Sequence, residues 1–209
     1  IPKFENQNID VWELINLVNK HPRVNVLQPG CGVGGHCIPV DPYYMIQRAA
    51  DVGVPAELIT AARAVNRTMP IHVAGVINEI LYKAGVPSGE GKALLLGWSY
   101  KPEVGDPRET PAEPLAEALQ GKGISVSVWD PHLSTDELPD TVEVLNELQD
   151  VQGFDILVLV TAHQACLELD WAKLRSQMNH SILYDGRRVL DLNNLNAMGW
   201  ETHAVGRPI

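Results

Sequence analysis

The chain has 209 residues, 45% of them apolar and 20% charged, a composition ordinary for a folded globular protein of one large or two modest domains. A formal net charge of −10 argues against a broad nucleic-acid-binding face, and no apolar run reaches the roughly 18–20 residues that span a bilayer. Three cysteines, Cys31, Cys37 and Cys166, are too few and odd in number for a disulfide framework, so the expected setting is the reducing cytoplasm.

The first predicted element is a helix within residues 1–20, where Val11, Leu14, Ile15 and Val18 share a face, ended by Pro22. Residues 21–42 are rich in glycine and proline and read as a structured loop. A short helix follows from Tyr43 to Val52, closed by Gly53 and Pro55. Apolar residues from Leu58 to Leu81 then recur at spacings of three and four, a long helix that Pro70 is expected to kink and Gly85 and Pro87 to stop. So long a helix on a small body would expose apolar surface, which points to packing against a second copy as a homodimer.

After Pro87 the pattern changes to strands alternating with helices. Lys92 to Gly97, Ser125 to Asp130, Asp155 to Thr161 and Ser181 to Tyr184 read as strands, with Trp200 to Val205 as a last one. Helices are expected at Ala112 to Leu119, Thr141 to Val151 and Trp171 to Met178. The alternation implies an α/β fold with a doubly wound, parallel, Rossmann-like sheet, which binds ligands at the carboxyl ends of its strands. Lys101, Asp130 and Arg187 fall at three of those ends. The expected division is a helical segment over 1–87 and an αβα domain over 88–209.

Gly30-x-Gly32-x-x-Gly35 has the letters of the dinucleotide-binding fingerprint, but that motif needs a strand before it and a helix at once after it. Gln28-Pro29 precedes it, and Pro39 and Pro42 follow, so the context fails. The glycines, Gly34 and Gly35 in particular, are instead suited to bringing backbone amides close to a ligand beside Cys37. A free cysteine is often an inert buried hydrophobe. His36 beside Cys37, Asp41 four residues on and the lack of greasy neighbours favour a reactive thiol. Cys31, His36 and Cys37, with His163 or Cys166, match no common zinc spacing, and no metal is expected.

Pro29-Gly-Cys-Gly-Val-Gly-Gly-His-Cys-Ile-Pro-Val-Asp-Pro42 closely resembles the active-site loop of the UDP-glucose/GDP-mannose dehydrogenase family. Three later segments resemble the family in the same order: Gly97-Trp-Ser-Tyr-Lys-Pro-Glu-Val-Gly-Asp-Pro-Arg-Glu-Thr-Pro111, Asp130-Pro131 and Tyr184-Asp-Gly-Arg-Arg188. The resemblance implies a central dimerisation segment and a C-terminal nucleotide-sugar-binding domain. The family's N-terminal NAD-binding Rossmann domain, with a catalytic lysine and glutamate, has no counterpart here, so this chain alone is expected to be inactive. It further implies oxidation of a sugar C6 alcohol to a carboxylate with two NAD molecules, through a thiohemiacetal and a thioester on Cys37.

By the same resemblance Asp41 organises water or proton transfer, although an Asx turn leading into the next helix is its structural alternative. Lys101 and Arg187 contact the substrate, Arg23 enters the partner subunit's sugar site, and Arg108 lies near the NAD phosphates. Val40 stands where the family often has lysine. The loop is most like the branch acting on UDP-N-acetylhexosamines, with the mannosamine sugar favoured over UDP-N-acetylglucosamine and UDP-glucose. The competing readings are a non-catalytic, dimerising nucleotide-binding module and a metal-binding protein.

Overall fold

The computed structural model describes residues 1–148 and 151–208. Its scaffold is a six-stranded, wholly parallel sheet: β1 (Lys92–Leu96), β2 (Ser125–Trp129), β3 (Glu143–Val144), β4 (Ile156–Leu159), β5 (Ile182–Asp185) and β6 (Glu201–Ala204). The spatial order is β3-β2-β1-β4-β5-β6, the doubly wound arrangement in which the chain reverses direction across the sheet between β1 and β4.

Both faces of the central strands are buried, and period-two alternation decides which residue serves which face. Ala93, Leu95, Ile156, Val158, Ile182 and Tyr184 meet one cluster, while Leu94, Leu96, Leu157, Leu159 and Leu183 meet the other. The first cluster is covered by α5 (Ala112–Gln120) and by the second half of α4 (Glu57–Lys83), through Val73, Ile77 and Ile80. The second is covered by α6 (Gln164–Leu167), α7 (Trp171–Gln177) and α8 (Leu192–Ala197), through Cys166, Leu174 and Leu195.

Helix α4 continues through Pro70, which lies inside it. Pro70 is buried, and packing on both sides of it outweighs the one hydrogen bond it cannot donate. The helix divides in character there: Met69 to Leu81 carries its buried residues, whereas Leu58 and Val65 are 84% and 63% exposed.

The N-terminal segment contains α1 (Pro2–Glu5), α2 (Val11–Val18) and α3 (Asp41–Asp51). Asp10 caps α2 by accepting from the amides of Trp12 and Glu13, and its carboxylate also takes both terminal nitrogens of Arg188, a pairing that lowers its pKa. Buried Glu5 accepts from the Gly206 amide at 2.7 Å and meets His72 Nε2 at 2.6 Å. The Trp12 indole donates to the Val205 carbonyl, so both ends of the sequence are stitched to one place on α4 and the sheet edge.

Two expectations need correction. A helix was expected over 141–151. Residues 149–150 lie outside the described residues; of the rest, 141–148 hold the two-residue edge strand β3 and turns, and Val151 is not helical. There the ladder bonds to β2 win over the helical spacing of Val142, Leu145 and Leu148. Helix α3 also begins two residues earlier than expected, because Pro42 suits a first helical turn.

Candidate active site

The segment 97–111 leaves β1 at the point where the strand order reverses, and a polar knot holds its start. Gly97 adopts φ +88° against Thr161, where a side chain would collide with backbone. Asp130, at the end of β2, accepts from the amides of Trp98 (2.7 Å), Ser99 (2.8 Å) and His132 (2.8 Å), from the Ser99 hydroxyl (3.0 Å) and from His163 Nε2 (3.1 Å). Burial works to raise this carboxyl's pKa. The hydrogen bonds from His163, Ser99, Trp98 and His132 outweigh it and hold Asp130 well below the usual carboxylate range. His163 Nδ1 accepts the Glu103 amide at 3.1 Å, which leaves Nε2 as the donor to Asp130. The Thr161 hydroxyl donates to the Ser99 carbonyl and that of Thr110 to the Trp98 carbonyl, closing the base of the loop.

The cysteine-bearing loop docks onto this frame. The Gly35 amide donates to the Glu109 carbonyl at 3.2 Å, and that of Val33 to Asn66 Oδ1 on α4 at 3.1 Å. Gly34 sits where a Cβ would lie 2.9 Å or less from Tyr100, Pro111 and the Glu109 carbonyl. Gly35, at φ +98°, leaves no room for a Cβ against the Tyr100 ring, and a Cβ at Gly30 would meet the Arg187 guanidinium at 2.6 Å unless that side chain shifted. The His36 ring stands edge-on to Tyr100. These glycines let the backbone lie flush on Tyr100 and Arg187, and no strand precedes them.

Cys37 is exposed, and its carbonyl accepts the amides of Val40 and Asp41 in the turn that leads into α3. Asp41 is the exposed first residue of that helix. Cys31 and Cys166 are buried in the two separate clusters, and burial pushes both thiols up to about 12. Among the described residues, no cluster of three potential metal ligands includes Cys31, His36, Cys37 or Cys166.

Between the 25–34 loop, Tyr100 and Arg187 lies an open cleft of about 510 Å³, within the size range of small-molecule sites. Gly34 and Arg187 line it together. Gly32 and Val33 also border a second cleft of about 500 Å³ with Tyr43, Arg63 and Arg67, so the glycine loop is the wall between two cavities. Lys101 is exposed directly after Tyr100. Arg108 is exposed on the same segment and bonded twice to Asp106, whose carboxyl it holds down to about 2. Arg23 is exposed in the turn after α2 and lines neither cleft.

Sequence reasoning missed four contributors. Tyr100 supplies the surface on which the loop rests. His163 completes the Asp130 knot across 33 residues, and Arg63 and Arg67 flank the Tyr43 ring. Of these, Tyr100 stood inside a quoted motif, while the other contacts carry no local signal.

Comparison with known proteins identifies the family of both halves of the chain. Residues 3–68 match the central-domain model of the UDP-glucose/GDP-mannose dehydrogenase family, and residues 94–192 match that family's UDP binding domain. The UDP-N-acetyl-D-mannosamine dehydrogenase of Methanocaldococcus jannaschii is 34% identical over 206 residues, which is 97% of this chain and 45% of that protein. An NDP-N-acetyl-D-galactosaminuronic acid dehydrogenase of Ralstonia nicotianae is 37% identical over 81% of this chain and 39% of that one. The solved UDP-D-ManNAc dehydrogenase of Pyrococcus horikoshii superposes with a TM-score of 0.82 at 31% identity, covering 97% of this chain and 46% of its own. The chain thus spans about half the length of the curated relatives it matches.

Proposed function

The chain belongs to the UDP-glucose/GDP-mannose dehydrogenase family, and from that premise we propose that it forms the substrate half of an NAD-dependent UDP-sugar 6-dehydrogenase. The favoured substrate is UDP-N-acetyl-D-mannosamine, oxidised at C6 to the uronate. The observation that carries this reading is the docking of the Cys37 loop onto Tyr100 and beside Arg187, at the carboxyl ends of β1 and β5, with a ligand-sized cleft between them. Substrate choice rests on the relatives, which include UDP-N-acetyl-D-mannosamine dehydrogenases.

In this reading residues 1–87 are the central segment and residues 88–209 the nucleotide-sugar domain. Arg187, with Gly34 at the cleft wall and Lys101 beside Tyr100, receives the UDP-sugar, while Gly35 behind that wall lets the loop rest on Tyr100. A guanidinium fork suits a diphosphate or paired hydroxyls. Arg23 reaches the second subunit's site in a homodimer built on the exposed half of α4, whose Leu58 and Val65 supply apolar area for it.

NAD supplies the acceptor for the two hydrides that leave C6. The residues here fit only a peripheral contact with it. Asp130, which occupies the ribose-binding position of such sheets, has its acceptors committed to the knot, and Arg108 is left as the cofactor-side residue. Cys37 adds to the C6 aldehyde to give a thiohemiacetal. Loss of the second hydride leaves a thioester, and water, oriented with the help of Asp41, releases the carboxylate and restores the thiol. The free thiols fit a cytoplasmic protein.

The test is NADH formation by the full-length protein with UDP-N-acetylmannosamine, UDP-N-acetylglucosamine and UDP-glucose in parallel, with and without Cys37→Ala. Fastest turnover is expected with the mannosamine sugar, and no uronate from the variant. A preference for UDP-glucose refutes the substrate assignment, and wild-type uronate yield from the variant refutes the nucleophile.

A further inference from the structure

Around the polar knot, Glu103, His132 and His163 each bring one potential ligand atom to within 4.8 Å of the others. The fully buried His163 is held by its Nε2–H bond to Asp130 Oδ2, and its Nδ1 faces the Glu103 carboxylate at 3.9 Å. His132 Nε2 stands 3.5 Å from the other Glu103 oxygen, and the two imidazoles are 4.7 Å apart. Asp130 fixes both histidine-bearing residues, since its second oxygen accepts the His132 amide.

A carboxylate that orients a histidine through the ring nitrogen remote from the ligand atom is the supporting geometry of metal-binding histidines. Zinc holds imidazole nitrogen and carboxylate oxygen at about 2.0–2.2 Å, which sets tetrahedral donors roughly 3.4 Å apart. The donors stand 3.5 and 3.9 Å from different Glu103 oxygens and within 4.8 Å of one another, so they must draw together on binding, and the two that move, His132 and Glu103, are partly and largely exposed.

We propose that Glu103, His132 and His163 form a divalent transition-metal site of the zinc class, with water in the fourth position. Two imidazoles and one carboxylate select zinc, nickel or cobalt over calcium and magnesium, which take oxygen ligands. On binding, His163 Nδ1 exchanges the Glu103 amide for the ion, and the Glu103 carboxylate exchanges the Gln164 amide for it. The turn that must move is exposed and has Glu103 at φ +60°, a backbone state unfavourable for a residue with a side chain, so its rearrangement need not be costly. Bound metal would clamp the 97–111 segment, and Lys101 with it, to the ends of β2 and β4.

The test is isothermal titration of the untagged 209-residue chain, stripped with EDTA and dialysed, with zinc chloride alone. One zinc per chain is expected, together with a rise in melting temperature. His132→Ala and Glu103→Ala, both at positions outside the core, should each weaken binding about ten-fold or more. His163 is left intact because the loop depends on it. Cys37→Ser should leave zinc affinity unchanged. Absence of saturable binding, affinity unaltered in both ligand variants, or loss of binding in Cys37→Ser would each overturn the proposal.

Discussion

Replacing Asp130 by asparagine tests the knot that carries the site. The carboxylate accepts five hydrogen bonds, four at Oδ2 and one at Oδ1. An asparagine oxygen in the Oδ2 position keeps the four, but its amide then faces the His132 N–H, donor against donor. One bond is lost outright and the others lose their charge. Hydrogen bonds to charged groups contribute about 1.5–3 kcal/mol against about 0.5–1.5 for neutral ones. Because bonds sharing one acceptor do not add, the net cost is about 3 kcal/mol. For a chain this long that corresponds to a melting temperature lower by about 6–12 °C. Urea unfolding followed by tryptophan fluorescence measures it. The pH dependence has a definite sign. Asp130 has a folded pKa depressed below its unfolded value, so its contribution is complete above about pH 4 and is lost as pH falls toward the folded pKa. The gap between wild type and variant should therefore be widest near neutrality and shrink in acid. A gap under about 0.5 kcal/mol at pH 7, within the range of ordinary surface substitutions, would refute the reasoning, as would one that stays constant on acidification.

Two further outcomes are expected. Iodoacetamide at pH 8 should label Cys37 in the folded chain and spare Cys31 and Cys166, which are buried and whose thiols burial pushes up to about 12; peptide mass spectrometry that finds Cys31 modified ahead of Cys37 would contradict the docked loop. Gly35→Ala meets both a positive φ and the Tyr100 ring, whereas Gly53→Ala meets a positive φ with open space around it. Urea unfolding should give a cost of about 1 kcal/mol for the second and about 1–3 kcal/mol more for the first, and equal costs would mean the loop does not rest on Tyr100.

The sheet was legible because its central strands are continuous apolar runs bounded by glycine and aspartate, and alternation with helices implied parallel pairing. Edge strand β3 was not, since two residues cannot establish a period, and their state is set by β2. The Cys37 loop was legible because its glycines and prolines exclude both helix and fingerprint. What they rest on was not, as Tyr100 lies 65 residues beyond Gly35 and the contact depends on the fold. Asp130 was visible as a polar residue after a strand. Its commitment to His163, and the nearness of Glu103 and His132, arise only where three strand ends converge.

The clasp of Glu5 with the Gly206 amide bears on how the chain is made. Its partners are separated by 201 residues, so the clasp cannot close during synthesis until nearly all of this sequence has emerged. Until then Glu5 has only His72 as a partner, and the Trp12 indole lacks the Val205 carbonyl to which it donates. Local helices and the inner strands can form earlier, from nearer contacts. Closure of the clasp is therefore a late folding event, and a chain truncated shortly before Gly206 should retain most of its sheet while leaving its first helices undocked.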